Sequence, residues 1–229
     1  MERIVLPEQL DVLPPQDQSA LRSRRDLRRL NAIMGHSRVV ARVLQKNLLD
    51  AKARHLVELG AGDGHFLLSV ARRLQGQWPG AQATLVDQLD ALDPQTRVQF
   101  QRLGWQVRAE TVEAAAWLRQ APATSTVISN LFFHQFETEP LVELLRLAAN
   151  ASHLVIALEP RRSWLPRLAG HLLWAIGCGP VTRHDAVVSV RAGFSGRELS
   201  ALWPDQKNWE LTERPVGLFS HLFIARRKD

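Results

Sequence analysis

The sequence predicts an α/β fold: a doubly wound, mostly parallel seven-stranded sheet with a C-terminal antiparallel hairpin and an N-terminal helical cover. Three observations support it. From residue 54 onward, short apolar runs alternate with helical patterns, as in parallel strands joined by crossover helices. The last two strand-like runs have no helix between them, which indicates a hairpin. Before residue 50, apolar residues recur at helical spacing.

The first 50 residues are predicted to be a helical cover and not a separate domain. The opening, up to about residue 16, is rich in proline and is expected to be irregular. From Asp17 to about Leu49 the pattern is helical, and Gly35 is expected to separate two helices. The two apolar stripes consist of Leu21, Leu27, Leu30 and Met34, and of Val39, Val40, Val43 and Leu44.

The remaining residues, 51–229, are predicted to form the main domain, with a lid insertion at about 161–200. Predicted strands span 54–60, 83–88, 105–110, 125–133 and 153–160. Predicted helices span 65–75, 94–104, 112–120 and 139–150, and a helical segment kinked at Pro166 follows. The hairpin comprises residues 209–215 and 217–227.

The cysteine content and the apolar stretches of the chain bear on its compartment, on metal binding and on membrane insertion. One cysteine, Cys178, can form neither an internal disulfide nor a cysteine-rich metal site, so a reducing cytoplasm and no metal are expected. The start of the chain lacks the apolar core of a signal peptide. The apolar stretch 164–179 is too short to span a bilayer, although it could lie at a membrane surface or cover a substrate.

The formal net charge is +6, and much of the basic charge lies in the arginine run Arg22–Arg29 and in the C-terminal tail. Such runs can attract nucleic acid, anionic lipid or an acidic partner, but they are also common on solvated helix faces.

The glycine-rich stretch Gly60-Ala61-Gly62-Asp63-Gly64 follows the first predicted strand. A dinucleotide fingerprint needs a small residue where this chain has His65. Carboxylates at Glu58 and Asp63 would also repel a pyrophosphate, by about 1–4 kcal/mol at short range. The turn therefore favours a nucleotide-like ligand that is cationic and has no phosphate, such as S-adenosylmethionine.

Two acidic residues follow on the next strands. Asp87 ends the second strand, where a carboxylate can accept hydrogen bonds from both ribose hydroxyls. Glu110 ends the third strand, where it could accept one from the adenine amine.

With these motifs, the chain resembles class I S-adenosylmethionine-dependent methyltransferases, which have a Rossmann-like fold. The resemblance rests on "VELGAGDG", "LVDQ", "VISNLFFHQF" and the terminal hairpin, and covers about residues 53–226. It implies S-adenosylmethionine as cofactor and S-adenosylhomocysteine as product. The residues that it implies for cofactor binding are Glu58, Gly60, Ala61, Gly62, Asp63, Asp87, Gln88, Glu110, Asn130 and Leu131.

The stretch after the fourth strand bears on the acceptor. Asn130 is not followed by the two prolines typical of methyltransferases that act on nucleic-acid amines. His134 resembles the histidine that small-molecule methyltransferases often carry here. It is predicted to be the general base or a hydrogen-bond partner of the acceptor, the alternative being a loop histidine satisfied locally.

Further acceptor-site candidates come from the lid. Glu159 ends the fifth strand near the expected pocket, and His184 could be a second acid/base group or a surface residue. Five apolar residues could form an aromatic or lipidic pocket or pack in the core: Trp164, Leu168, Leu172, Trp174 and Phe194.

The main hypothesis is therefore O-methylation of a phenolic, polyketide-like or quinol small molecule, as in secondary metabolism. C-methylation of an enolisable carbon also needs a proton removed near His134 and stays open. A nucleic-acid or protein methyltransferase, or a binding protein without catalysis, are the alternatives. The expected partner is an aromatic or apolar small molecule, not nucleic acid. Peripheral membrane contact and oligomer formation are left open.

Overall fold

The computed structural model describes residues 2–47, 55–121, 124–164 and 173–228. Before the sheet, a short helix α1 (Gln9–Val12) is followed by α2 (Gln18–Met34) and α3 (His36–Asn47). Asp17 caps α2 by accepting from the backbone N–H groups of Ser19 and Ala20. Gly35, with φ of +70°, separates α2 from α3 as predicted.

The described residues form a seven-stranded sheet. Its strands are β1 (His55–Leu59), β2 (Gln82–Asp87), β3 (Gln106–Thr111), β4 (Thr124–Asn130), β5 (Ser152–Pro160), β6 (Trp209–Val216) and β7 (Ser220–Arg227). The helices in the same part of the chain are α4 (His65–Arg73), α5 (Pro94–Arg102), α6 (Ala114–Gln120), α7 (Thr138–Ala151), α8 (Pro180–Ala192) and α9 (Glu198–Leu202).

The strand order is β3-β2-β1-β4-β5-β7-β6. The first five strands are parallel, and β7 is antiparallel to both β5 and β6. The predicted doubly wound sheet with its terminal hairpin is thereby confirmed. The order reverses between β1 and β4, and an open α/β sheet binds its ligands beside the carboxyl ends of the strands at such a point.

Two apolar clusters cover the two faces of the sheet. One packs α3, α4 and α5 against it and includes Leu44, Leu67 and Phe100. The other packs α6, α7, α9 and the hairpin against it and includes Leu145, Trp203 and Phe223. Both faces are thus covered, and the carboxyl edge of the strands is left for the site.

The prediction that the fourth strand extends to Phe133 is wrong. The strand ends at Asn130, Leu131 takes a left-handed φ of +57°, and Phe133–Gln135 form a 3₁₀ turn. The apolar run misled the prediction because its last residues fold over the edge of the sheet.

In the predicted lid, α8 and a short 3₁₀ turn at Leu173–Ile176 are described. The predicted kink at Pro166 lies outside the described residues. None of the described helices has the length and apolar character needed to cross a membrane.

Candidate active site

A cavity of about 940 Å³ lies at the carboxyl edge of the sheet, between β1, β2 and β4 below and the N-terminal segment and α8 above. Its volume is near the upper end of the range for small-molecule sites, about 300–1,000 Å³. The predicted residues that line it are Glu58, Gly60, Ala61, Gly62, Asp63, Asp87, Gln88, Asn130, Leu131 and His134.

The glycine turn is held by backbone geometry at one end of this cavity. Gly60, Gly62 and Gly64 have φ of +68°, +52° and +72°. A Cβ on Gly60 would lie 2.3 Å from the ring of Phe132, whereas one on Gly62 would meet nothing within 4 Å. Gly60 is therefore required for both its conformation and the space around it, and Gly62 for its conformation alone.

Asp87 joins the second strand to this turn. Its Oδ2 accepts from the N–H of Gly62 at 2.8 Å, and its Oδ1 accepts from the N–H of Leu89 at 2.9 Å. Asp87 thus fixes the turn and also lines the cavity.

The surroundings of the two other carboxylates at this end of the cavity, Glu58 and Asp63, differ from those expected from the sequence. Glu58 is buried, and its Oε2 has no hydrogen-bond partner among the described residues. Burial, and then the charge of Asp63, raise the pKa of Glu58 well above its usual range. Asp63 is paired with Arg28 of α2 at 2.8 Å. The structure thus changes the electrostatics expected at both positions: burial raises the pKa of Glu58, and Asp63 forms an ion pair with Arg28.

Behind Asn130 lies a buried histidine that the sequence analysis missed. His36 Nδ1 is 2.7 Å from Asn130 Oδ1, and its Nε2 is 2.6 Å from Ser220 Oγ. Burial lowers the pKa of His36 to about 4, so the ring is neutral at pH 7. It joins α3 to the ends of β4 and β7, and no local signal in the sequence marks this role.

Glu159 shapes the turn that follows β4. It is fully buried, and it accepts from Ser129 Oγ at 3.0 Å and from the backbone N–H of Phe133 at 3.0 Å. The N–H groups of Phe132 and His134 also donate to it, each at 3.3 Å. Glu159 does not line the cavity. It acts on the site through His134, whose Nδ1 lies 2.9 Å from its Oε2.

His134 lines the cavity but is almost completely buried. Its Nε2 lies 3.0 Å from Glu8 Oε1, so both ring nitrogens contact a carboxylate. Burial favours the neutral ring, but the hydrogen bonds and charges of Glu159 and Glu8 raise the pKa of His134 to about 9. In this arrangement the ring is an imidazolium at neutral pH and has no free lone pair for an acceptor proton.

Glu8 belongs to an N-terminal strap, residues 3–12, that the sequence analysis treated as irregular. Arg3 donates to the carbonyl oxygens of Ala192, His134 and Phe136 at 2.8, 3.0 and 2.6 Å. Asp185 of α8 accepts from the N–H groups of residues 9 and 10 at 2.8 and 3.0 Å.

Asp11, on the same strap, also lines the cavity. Reduced contact with solvent, and then the charges of Glu8 and Asp185, raise the pKa of Asp11 to about 7. The only sequence feature that could have pointed to the contacts of Glu8 and Asp11 is that acidic residues occur in the Pro-rich start of the chain.

Several predicted site residues are not brought to the cavity. Glu110 forms an ion pair with Arg108 on its own strand, and His184 pairs with Asp185 at 2.9 Å on the outer side of α8. Neither lines the cavity. Glu110 lies on β3, which is an edge strand of the sheet.

The predicted apolar acceptor pocket is not formed by its described members. Trp164 and Trp174 are largely exposed, at 71% and 63%, and Phe194 is buried in the core beneath the guanidinium of Arg3. Leu168 and Leu172 lie outside the described residues. The described apolar lining of this end consists of Leu10, Phe132, Phe136, Leu173, Ala186 and Val190.

The arginine run of α2 is largely engaged within the chain. Arg22 donates to the carbonyl of Gly177, and Arg24 donates to that of Pro15. Arg28 pairs with Asp63 and, at 3.1 Å, with Asp93. These three arginines of the run thus have partners within the chain, whereas Arg25 is exposed.

No family model matches the chain, and no curated protein sequence matches it. Several solved structures, in contrast, are similar to the fold of this chain. The plantazolicin methyltransferase BamL, in complex with a triazolic desmethyl analogue and S-adenosylhomocysteine, matches with a TM-score of 0.66 and 12% identity, covering 96% of this chain and 93% of BamL.

Two further structures are similar. Magnesium protoporphyrin IX methyltransferase from Synechocystis, with bound S-adenosylhomocysteine, has a TM-score of 0.55 and 14% identity over 85% of this chain and 84% of its own. An O-methyltransferase family protein from Burkholderia thailandensis has a TM-score of 0.57 and 19% identity over 87% of this chain. The match spans 58% of that protein's length. These likenesses show that the chain has the class I methyltransferase fold.

Proposed function

We propose that this chain is an S-adenosylmethionine-dependent methyltransferase that acts on a small molecule. The observation that carries the proposal is the cavity at the strand-order reversal, which the glycine turn, Asp87 and Glu58 line together. A protein with a similar fold binds the methyl donor: the Synechocystis methyltransferase was solved with S-adenosylhomocysteine and also with S-adenosylmethionine.

The residues present fit this cofactor. The α-ammonium group of its methionine part is a donor that the buried Oε2 of Glu58 lacks among the described residues. A cationic donor there would also favour the ionised form of Glu58, whose pKa burial has raised. Each oxygen of Asp87 accepts one backbone N–H and keeps a lone pair for a ribose hydroxyl.

In this proposal the turn from Gly60 to Asp63 lies along the methionine part, with Asn130 and Leu131 opposite it. Gln88 extends the ribose side beyond Asp87. Arg28 lines the same space and can balance the methionine carboxylate. When bound, the cofactor supplies an electrophilic methyl group on a sulfonium. The protein then aligns the acceptor atom with that group, and orientation of this kind can contribute about 7–11 kcal/mol.

The acceptor is proposed to occupy the other end of the cavity, beside Phe136, Leu10, Val190 and His134. We favour O-methylation of a phenolic, polyketide-like or quinol molecule, since apolar side chains lie there beside His134. The polar residues Glu8, Asp11, Gln135, Asp185 and Ser189 line the same cavity. C-methylation at an enolisable carbon would use the same groups. Glu159 is proposed as a positioning residue because it contacts His134 and not the cavity.

The N-terminal helices are proposed to be a working part of this site, together with the main domain 51–229. Helix α2 lines the cavity through Leu27, Arg28 and Asn31. A cover of this kind excludes water from the reaction space. One protein with a similar fold was solved with a triazolic plantazolicin analogue.

Calorimetric titration with S-adenosylmethionine and S-adenosylhomocysteine tests the proposal. Wild-type protein should bind both, and Asp87→Ala should weaken binding roughly 10- to 100-fold, because a hydrogen-bonded carboxylate contributes about 1.5–3 kcal/mol. Asp90→Ala is the matched control, since Asp90 is an exposed carboxylate in the same loop. Wild-type protein that binds neither compound would contradict the proposed function.

A further inference from the structure

The contact between Glu8 and His134 raises a problem for any reaction at this site. An acceptor hydroxyl that gives its proton to His134 must reach Nε2, because Nδ1 is held by Glu159. Glu8 Oε1 already lies 3.0 Å from Nε2. The strap thus occupies the position that the acceptor needs.

The strap is attached by polar contacts at its two ends and not by apolar burial. All residues from 2 to 19 are described, and none of them is buried. Arg3 holds one end through three backbone carbonyls, and Asp185 holds the other through two N–H groups of α1. Between these anchors, Glu8 contacts His134 and Ser189 through the same oxygen, Oε1. Segments with little buried apolar surface open at low free-energy cost.

The charges around His134 come from each element packed against it. Glu159 faces Nδ1 from β5, Glu8 faces Nε2 from the strap, and Asp11 interacts with the ring from the end of α1. Arg3 donates to the backbone carbonyl of His134. Asp185 of α8 contributes to the field at Asp11. Without Glu8, burial would still favour the neutral ring of His134, and mainly Glu159 would oppose that effect.

We propose that Glu8 is a positioning residue that keeps His134 protonated while the strap is closed, and that an acceptor displaces Glu8 and converts His134 into the base. The proposal rests on the proposed function.

The proton balance is simple. When Glu8 leaves as a carboxylate, the Nε2 proton goes to solvent and His134 becomes neutral, with its Nδ1–H still donated to Glu159. The acceptor O–H then donates to Nε2. As the oxygen takes the methyl group and the sulfonium becomes a thioether, the acceptor proton passes to Nε2. Re-forming the Glu8 contact restores the starting state.

The first test is the pKa of His134, measured by imidazole NMR on ¹⁵N-labelled full-length protein and assigned with His134→Gln. Wild type should titrate near 9. Glu8→Gln should titrate about one unit lower or more, because the charge that stabilises the imidazolium is gone. Glu2→Gln, which removes an exposed carboxylate just before the strap, should titrate like wild type.

The second readout is the modification of His134 by diethyl pyrocarbonate at pH 7, which requires a neutral and accessible nitrogen. The rate in Glu8→Gln should exceed that in wild type about tenfold or more, in line with the larger neutral fraction. Ser189→Ala weakens the hold on Glu8 without changing charge, and should move both readouts in the same direction to a smaller extent.

An unchanged pKa and an unchanged modification rate in Glu8→Gln would overturn the inference. Circular dichroism and S-adenosylhomocysteine binding of each variant separate this outcome from misfolding. If wild type fails to bind S-adenosylhomocysteine, the proposed function fails. If the cofactor binds normally and His134 does not respond to Glu8, only the role of Glu8 fails.

Discussion

At each end of the cavity, a carboxylate on one strand fixes the turn that follows the neighbouring strand, but only one of these two carboxylates lines the cavity. At the cofactor end, Asp87 at the end of β2 accepts a hydrogen bond from the turn that follows β1, 25 residues earlier. At the acceptor end, Glu159 at the end of β5 accepts from the turn that follows β4, with His134 also 25 residues away. In each case a carboxylate on one parallel strand fixes the turn that follows its neighbour.

The difference lies in what covers each carboxylate. Asp87 remains half-buried and lines the cavity, so it can meet a ligand directly. Glu159 is fully buried, and the side chain in front of it, His134, is covered in turn by Glu8, 126 residues away in sequence. A carboxylate at a strand end therefore predicts a fixed turn, but whether it contacts a ligand depends on distant segments that pack over it.

The largest expected effect is a loss of stability at the glycine turn, at the proposed cofactor end of the cavity. Gly60→Ala places a Cβ 2.3 Å from the Phe132 ring in a left-handed conformation, and should lower the free energy of unfolding by about 2–5 kcal/mol. Gly62→Ala has the same conformational strain and free space, so it should cost only about 1–2 kcal/mol. Urea unfolding of both variants checks this. Equal losses would mean that the contact with Phe132 has no role.

A smaller effect concerns the pH dependence of stability that two of the buried histidines, His134 and His36, contribute. The pKa of His134 is raised to about 9, so its stabilisation is complete below about pH 6.5 and is lost as the pH rises to 9. The pKa of His36 is lowered to about 4, so the stability that its neutral ring contributes is lost as the pH falls from about 6.5 to 4. Asp11, whose pKa is raised to about 7, contributes in the opposite direction over an overlapping range. Each limb should amount to about 3 kcal/mol.

Unfolding free energies measured from pH 4 to pH 9.5 test both limbs. His134→Gln should lack the alkaline limb and His36→Asn the acidic limb. His153→Gln, at an exposed position, should keep both. An alkaline limb that survives in His134→Gln would show that another group is responsible.

The smallest effect concerns the link between α2 and the glycine turn. Arg28 is 31% exposed in its side chain, and such pairs contribute about 1 kcal/mol or less. Arg28→Gln should therefore change stability by no more than about that amount, measured by thermal unfolding at low and high salt. Arg25→Gln, an exposed neighbour on the same helix, serves as reference. A loss well beyond that of an exposed pair would mean that Arg28 holds the turn in place.

Much of the fold was predictable because its signals are local. Alternating apolar strands and helices give the parallel sheet, and the missing helix between the last two runs gives the hairpin. The positions of Gly60 to Gly64 and of Asp87 follow from one strand-turn-helix-strand unit. The error at Phe132 and Phe133 arose because apolar residues suit both a strand and a turn buried against the sheet.

The sequence by itself determined the sheet, the glycine turn and the presence of a histidine after the fourth strand, since each depends on residues close together along the chain. Only the tertiary structure decided which groups are buried and which charged groups are paired. Burial and Asp63 act on Glu58, Arg28 neutralises Asp63, and Glu8 joins Glu159 around His134. The electrostatic environment of a group depends on its burial and on the residues next to it in space. Those residues come from segments far apart in the sequence, and no sequence pattern predicts that they are in contact.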